Sequence, residues 1–324
     1  MNGSNDGVIV AIAGGVGGAK MAQGLALALP PGDLTVIVNT ADDMEHLGLH
    51  ISPDIDTVLY TLGGIANPVT GWGIQGDTTN TLDQLRRYGH DAWFWLGDRD
   101  FATHIYRTSR LAAGVPLTEV TGEMARALGI DSTILPMTDD PLRTIVGTPD
   151  GDLVFQDYFV RRQQRDDVTG VRFEGSEAAR LPERVREAIA YADLIVFCPS
   201  NPIVSIGPIL AVPGMREALL AASAPTIAVS PIIGGKALKG PADRMLATLG
   251  HESSALGVAR LYAGLVDGFV IDHADADLAA QVDRETGMMV VTTGTVMGGP
   301  DDRRRLAEEL LTFGQRITIA SQPL

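Results

Sequence analysis

Val8-Ile9-Val10-Ala11-Ile12-Ala13-Gly14-Gly15-Val16-Gly17-Gly18-Ala19-Lys20 is the stretch that decides the fold. A short apolar, β-branched run passes through a cluster of glycines into Ala19–Leu29, which has the length and composition of a helix. A second apolar run, Leu34–Asn39, follows. Strand, glycine turn, helix and strand make a βαβ unit, and such a unit implies a parallel sheet. Buried-strand candidates recur at Leu194–Cys198, Thr226–Ser230, Gly268–Asp272 and Met288–Thr293, beside helical stretches such as Glu183–Tyr191, Met215–Ala222 and Ser254–Gly264. A helix over Asp301–Thr312 and a last strand near Arg316–Ala320 are expected to close the alternation. The pattern predicts an α/β, doubly wound, mainly parallel sheet, begun by residues 1–70 and completed by 183–324.

Between those parts the rhythm changes. Thr79–Tyr88, Asp98–Ala113 and Leu117–Leu128 are predicted as three successive helices. Arg143–Thr148 and Leu153–Val160 are predicted as a strand pair around Pro149-Asp150-Gly151. An inserted helical and hairpin subdomain over 71–182, capping the sheet, is the expectation.

Lys and Arg number 25 against 40 Asp and Glu, a formal net charge of −15 that lacks the basic footprint of a nucleic-acid binder. Hydrophobic residues make up 45%, enough for a sizeable core. The single cysteine, Cys198, can form no internal disulfide and no cysteine-rich zinc site. No basic residues precede the first apolar run, as a secretion signal would require. Leu194–Met215 is free of charges, but Pro199, Pro202, Pro208 and Pro213 break any membrane-spanning helix. A cytoplasmic protein without membrane or nucleic-acid partners is expected.

Five motifs fall at predicted strand ends or helix starts. Gly14, Gly15, Gly17 and Gly18 before Lys20 allow close backbone approach, and a helix N-terminus offers free N–H groups to an anion. The turn fits neither the dinucleotide fingerprint, which needs glycine or alanine where Lys20 stands, nor the P-loop, which needs glycine before that lysine and Ser or Thr after it. Asn39-Thr40-Ala41-Asp42-Asp43 lies at the carboxyl end of the second strand, where an acid can bind a ribose hydroxyl or a divalent cation. Asp54 and Asp56 open an apolar helix, and either alone reads as a cap. Four carboxylates between positions 42 and 56 would repel one another, so Mg²⁺ held by Asp42, Asp43, Asp54 and Asp56 is expected. Asp98, Arg99 and Asp100 read most simply as a charged first helical turn with an internal ion pair, and are also expected among the substrate-binding residues. Ser200, Asn201 and Ser205 follow a strand end, suiting either ligand approach or a rigid loop. Gly234 and Lys236, with Lys239 beyond, suggest a second phosphate contact in an otherwise acidic chain.

Together these stretches resemble the 2-phospho-L-lactate transferase family of coenzyme F(420) biosynthesis. The resemblance rests on GGVGGAK (14–20), NTADD (39–43), SPDIDTVLYTLGG (52–64), GWG (71–73), LGDRDFATH (96–104), ILPMTDDPLRT (134–144), FQDYFVR (155–161), SNPIVSIGPILAVPG (200–214) and SPIIGGKALKGPADRM (230–245). It implies a Rossmann-like core and a reaction in which the ribityl hydroxyl of the deazaflavin Fo attacks a guanosine diphosphate-linked three-carbon acid, releasing GMP. It also implies Asp56 at the Fo site, near the attacking hydroxyl, and Trp95 bordering the deazaflavin at a position where some relatives carry lysine; from the carboxylate cluster, Asp43 is expected to share the catalytic role with Asp56. A homodimer is the expected assembly. The contrasting expectations are a nicotinamide-dependent oxidoreductase that uses the first glycine turn, and a non-catalytic nucleotide-binding regulator.

Overall fold

The computed structural model describes residues 8–320. The N-terminal residues read above for a secretion signal lie, before Val8, outside the described residues. Seven strands form the central sheet: β1 Ile9–Ala13, β2 Leu34–Val38, β3 Thr133–Pro136, β4 Leu194–Phe197, β5 Thr226–Val229, β6 Gly268–Asp272 and β7 Met289–Thr293. All are parallel, in the spatial order β3-β2-β1-β4-β5-β6-β7. In β1, Ile9, Ala11 and Ala13 pack into one core while Val10 and Ile12 pack into the other. This alternation lets one apolar strand feed two layers. Helices α1 (Gly15–Ala28) and α2 (Pro53–Leu62), with Leu117–Ala127 and Pro300–Ala320, cover the first face. Glu183–Ala190, Met215–Ala221, Ala255–Tyr262 and Ala279–Thr286 cover the second. The doubly wound expectation therefore holds. Strand order reverses beside β1, so the carboxyl ends of β1 and β4 open a crevice of the kind that binds ligands in such sheets.

Three expectations change. The stretch 71–182 is not wholly an insertion, because β3 pairs with β2, Thr35 opposite Thr133 and Val38 opposite Pro136. The four-residue run ending at Pro136 is too short to stand out from its surroundings. The hairpin forms with Ile145 opposite Val154, but its second strand ends at Val154, and Asp157–Arg161 winds into a π-helical turn. A third strand, Gly170–Glu174, pairs with Arg143–Thr148 from the other side. The last strand near Arg316–Ala320 is instead the end of the helix Pro300–Ala320. Leu306, Leu310, Phe313 and Ile317 are buried at helical spacing, and this periodicity overrides the β-branched Ile-Thr-Ile at its end.

Among the described residues no single helix is long and apolar enough to cross a membrane. The apolar segments Pro202–Ala211 and Met215–Ala221, the second carrying Arg216 and Glu217, meet at 86°.

Candidate active site

A cavity of about 640 Å³ lies over the strand-order reversal. Its floor is the glycine turn. Gly14 caps α1 in extended conformation, and Gly15 adopts φ +62°, a left-handed geometry that favours glycine. Ser200, just past β4, locks this turn: its hydroxyl accepts from the Gly14 N–H at 3.1 Å and donates to the Gly14 carbonyl at 2.8 Å. Gly14, Gly15 and Gly17 line the cavity. Gly18 does not; a Cβ there would come within 2.8 Å of Ser200 Oγ and 2.9 Å of Ala13 Cβ, so it serves close helix–strand packing. Asn201 lines the cavity but spends its Oδ1 on the N–H groups of Ile203 (2.9 Å) and Val204 (3.3 Å). Ser205 presents a buried side chain beside Gly14.

Two lysines reach this wall. Lys20 Nζ donates to the Met297 carbonyl at 3.0 Å, and Lys239 Nζ donates to the Thr70 carbonyl at 2.9 Å. Burial, then the nearby Arg303 and Lys239, hold the Lys20 amine below the usual lysine range. The expected Gly234 and Lys236 do not line the cavity. The Gly234 N–H donates to Asp275 (3.0 Å to Oδ2), while the short hairpin Ile232–Ile233/Lys236–Ala237 turns Lys236 outward, 3.7 Å from Asp243.

The four clustered aspartates separate. Asp42, Asp54 and Asp56 line the cavity; Asp43 does not. Asp43 Oδ2 accepts from the Ser52 hydroxyl (2.7 Å) and contacts His50 Nε2 (2.9 Å), which ties it to the hairpin Met44–His46/Leu49–Ile51, while its Oδ1 is buried without a hydrogen-bond partner. His46 and His50 sit on this hairpin. Asn39 also stands behind the wall: its Nδ2 donates to Asp54 Oδ2 at 3.0 Å and its Oδ1 accepts from the Ala41 N–H. Burial pushes the Asp54 carboxyl up to about 6, against the opposing hydrogen bonds from Asn39 and the Gly15 N–H, with Asp43 adding to the rise. Asp42 is raised well above the usual range by burial and then by Asp54 and Asp43, and its Oδ1 has no hydrogen-bond partner. Asp56 is held by both terminal nitrogens of Arg107, one of them 3.2 Å from Oδ2. Among the described residues no three acidic, histidine or cysteine side chains gather as metal ligands. Of the four, Asp42 and Asp54 are the ones that both line the cavity and make no ion pair.

Asp98 and Arg99 lie outside the cavity lining, and no ion pair joins them. Asp98 accepts from the Thr81 N–H and the Asn80 amide, both at 2.8 Å, so it caps the helix Asn80–Arg87. Exposed Arg99 donates to the Gln75 carbonyl at 2.7 Å. Asp100 does line the cavity, where its Oδ1 accepts from the Tyr60 hydroxyl at 2.6 Å. Trp93, Phe94 and Trp95 all contribute to the wall, because the segment before Asp98 is irregular and need not alternate its side chains as a strand does. Trp95 meets Trp72 edge to face, with ring centroids 5.6 Å apart at 73°.

Residue patterns alone do not single out Tyr60, Arg107 or the Thr295–Gly298 loop. Thr295–Gly298 follows β7, and the carboxyl-end rule applied to that strand is the signal that could have found it.

The structure is similar to a crystal structure of a UPF0052-family protein from Bacillus halodurans, with a TM-score of 0.59 at 17% identity, covering 94% of this chain and 99% of that one. At that identity the likeness supports the fold alone. A phosphoenolpyruvate transferase of Streptomyces coelicolor is 44% identical over 96% of this chain and 99% of its own. A 2-phospho-L-lactate transferase of Methanosarcina acetivorans is 41% identical over 93% of this chain and 97% of its own. The relatives do not support the nicotinamide-dependent alternative. With the family model for 2-phospho-L-lactate transferase CofD matching residues 9–296, the chain belongs to that family of transferases.

Proposed function

We propose that this transferase moves a phospho-three-carbon-acid group from its guanosine diphosphate-linked donor to the ribityl hydroxyl of Fo, forming the precursor of coenzyme F(420). The acid is phospholactate, phosphoenolpyruvate or phosphoglycerate. The hydroxyl oxygen attacks the phosphorus that carries the acid, the bond from that phosphorus to the bridging oxygen breaks, and GMP leaves with the electron pair. One observation carries this reading: a single cavity joins a glycine-and-lysine wall to an aromatic wall, with Asp42, Asp54 and Asp56 also lining it. Phosphoryl transfer asks for positioning and charge neutralisation more than for a covalent nucleophile. The α1 N-terminus, Lys20 and Lys239 suit a diphosphate, and Trp72 and Trp95 suit a flat tricyclic ring. Asp56 would accept a hydrogen bond from the attacking hydroxyl.

Asp42 and Asp54 fit Mg²⁺, which takes one or two carboxylates and completes its shell with water and substrate phosphate. The orphaned Asp42 Oδ1 and the raised pKa of both acids are what an unneutralised cation site would show. When bound, the ion would offset the donor's negative charge. A homodimer working in the cytoplasm completes the proposal.

Trp95→Ala tests the acceptor wall. Loss of aromatic contact and of burial should weaken Fo binding about tenfold or somewhat more, with donor affinity nearly unchanged. A fluorescence titration measures both. Unchanged Fo affinity with a lowered Tm would return Trp95 to the core.

A further inference from the structure

The helix Asp98–Ala112 carries Asp100, His104 and Arg107 along one face, and α2 carries Asp56 and Tyr60 four residues apart. All five side chains are buried; hydrogen bonds join Tyr60 to Asp100 and link Asp56, Arg107 and His104, and the two groups meet where His104 Nε2, which has no hydrogen-bond partner, approaches Asp100. The Tyr60 hydroxyl donates to Asp100 Oδ1 at 2.6 Å, and His104 Nε2 lies 3.3 Å from the same oxygen. Arg107 Nη1 donates to His104 Nδ1 at 3.3 Å and to Asp56 Oδ2 at 3.2 Å, while Nη2 grips Asp56 Oδ1. Because Arg107 can only donate, its bond to Nδ1 places the ring proton of His104 on Nε2, toward Asp100. Asp56, Tyr60, Asp100 and His104 line the cavity; Arg107 stands behind them with no accessible surface.

Packing alone would be served as well by an apolar side chain of similar volume, since a buried ion pair is weak evidence for stability. What the guanidinium adds is geometry. Its two-point grip fixes the plane of the Asp56 carboxylate. Each carboxylate oxygen keeps a further lone pair for a substrate hydroxyl. We infer that Arg107 is a positioning residue for the transfer, acting through Asp56 to aim the acceptor hydroxyl at the reacting phosphorus. This rests on the reading of the cavity as the acceptor site.

The test is a double-mutant cycle in Asp56→Asn and Arg107→Lys, with GMP and phosphodiester product followed by chromatography over hours so that very slow turnover stays measurable. Arg107→Lys should lower kcat about 10- to 30-fold, because one-point contact loosens the carboxylate, and should leave the donor KM within about twofold. Asp56→Asn should lower kcat by about 10²- to 10³-fold, and the double variant should lie within about threefold of Asp56→Asn alone. An Arg107 that only supports the fold would instead multiply the two losses. Multiplied losses, or Arg107→Lys with wild-type kcat, overturn the inference. Thermal melts of each variant check folding, and Arg107→Gln gives a second, stronger removal of the grip. Wild-type protein that releases no GMP from the substrate pair would overturn the functional reading itself.

Discussion

Asp54→Asn is expected to raise the Tm of the ligand-free protein at pH 7.5 while lowering turnover by about 10²- to 10³-fold. The two effects share one cause. The folded Asp54 carboxyl titrates at about 6 against an ordinary 3.8, so it is harder to ionise in the folded protein than in the unfolded chain. Its contribution to stability is therefore fully present below about 3.8 and is lost as pH rises through about 6. Above that pH the ionised group destabilises the fold by on the order of 3 kcal/mol. An asparagine removes this penalty, and its carbonyl can still accept from Asn39 or the Gly15 N–H. The gain in Tm should shrink between pH 6 and pH 4. If the same charge holds Mg²⁺, adding the ion should raise the Tm of the wild-type protein more than that of the variant. EDTA should abolish wild-type turnover. Scanning calorimetry across pH, with and without Mg²⁺, measures these effects. A variant that is less stable at pH 7.5, or that keeps its turnover, removes Asp54 from the role.

Lys20→Met is expected to weaken donor binding about 10- to 100-fold and to leave Fo affinity unchanged. Lys20 reaches the cavity from the first turns of α1 and is aimed by the Met297 carbonyl. Methionine keeps the length and apolar stem but no charge. A charge-assisted hydrogen bond to phosphate contributes roughly 1.5–3 kcal/mol, the energy of that fold-change. Lys236→Met, on the outward side of its hairpin, should change neither affinity by more than about twofold. Calorimetric titration with GMP and with the donor reads both variants. Equal losses in the two, or a loss in Lys236→Met alone, would move the phosphate contact to the other loop.

The sheet was legible because its strands are uniformly apolar and its first turn is crowded with glycine. Strand β3 and the end of the last helix were not. Thr133–Pro136 is four residues long, and Arg316–Ala320 alternates like a strand while its Ile317 continues a helical stripe begun at Leu306. Acid clustering was visible, but its division was not. Whether Asp42 or Asp43 faces the cavity depends on the direction in which the chain leaves β2 and on His50 and Ser52 capturing Asp43. The same holds for Lys236 and Lys239, three residues apart across a hairpin end. Arg107 is the clearest case. An arginine in a polar helix reads as a solvated residue, and only the packing of that helix over the strand Leu49–Ile51, beside the start of α2, buries it on Asp56.

The reaction is defined by the bond that breaks. Purified protein incubated with Mg²⁺, Fo and a guanosine diphosphate-linked three-carbon acid should release GMP in step with a phosphodiester-linked deazaflavin product, one for one, as followed by chromatography and mass spectrometry. Release of GDP or inorganic phosphate, or GMP formation that does not depend on Fo, would contradict it.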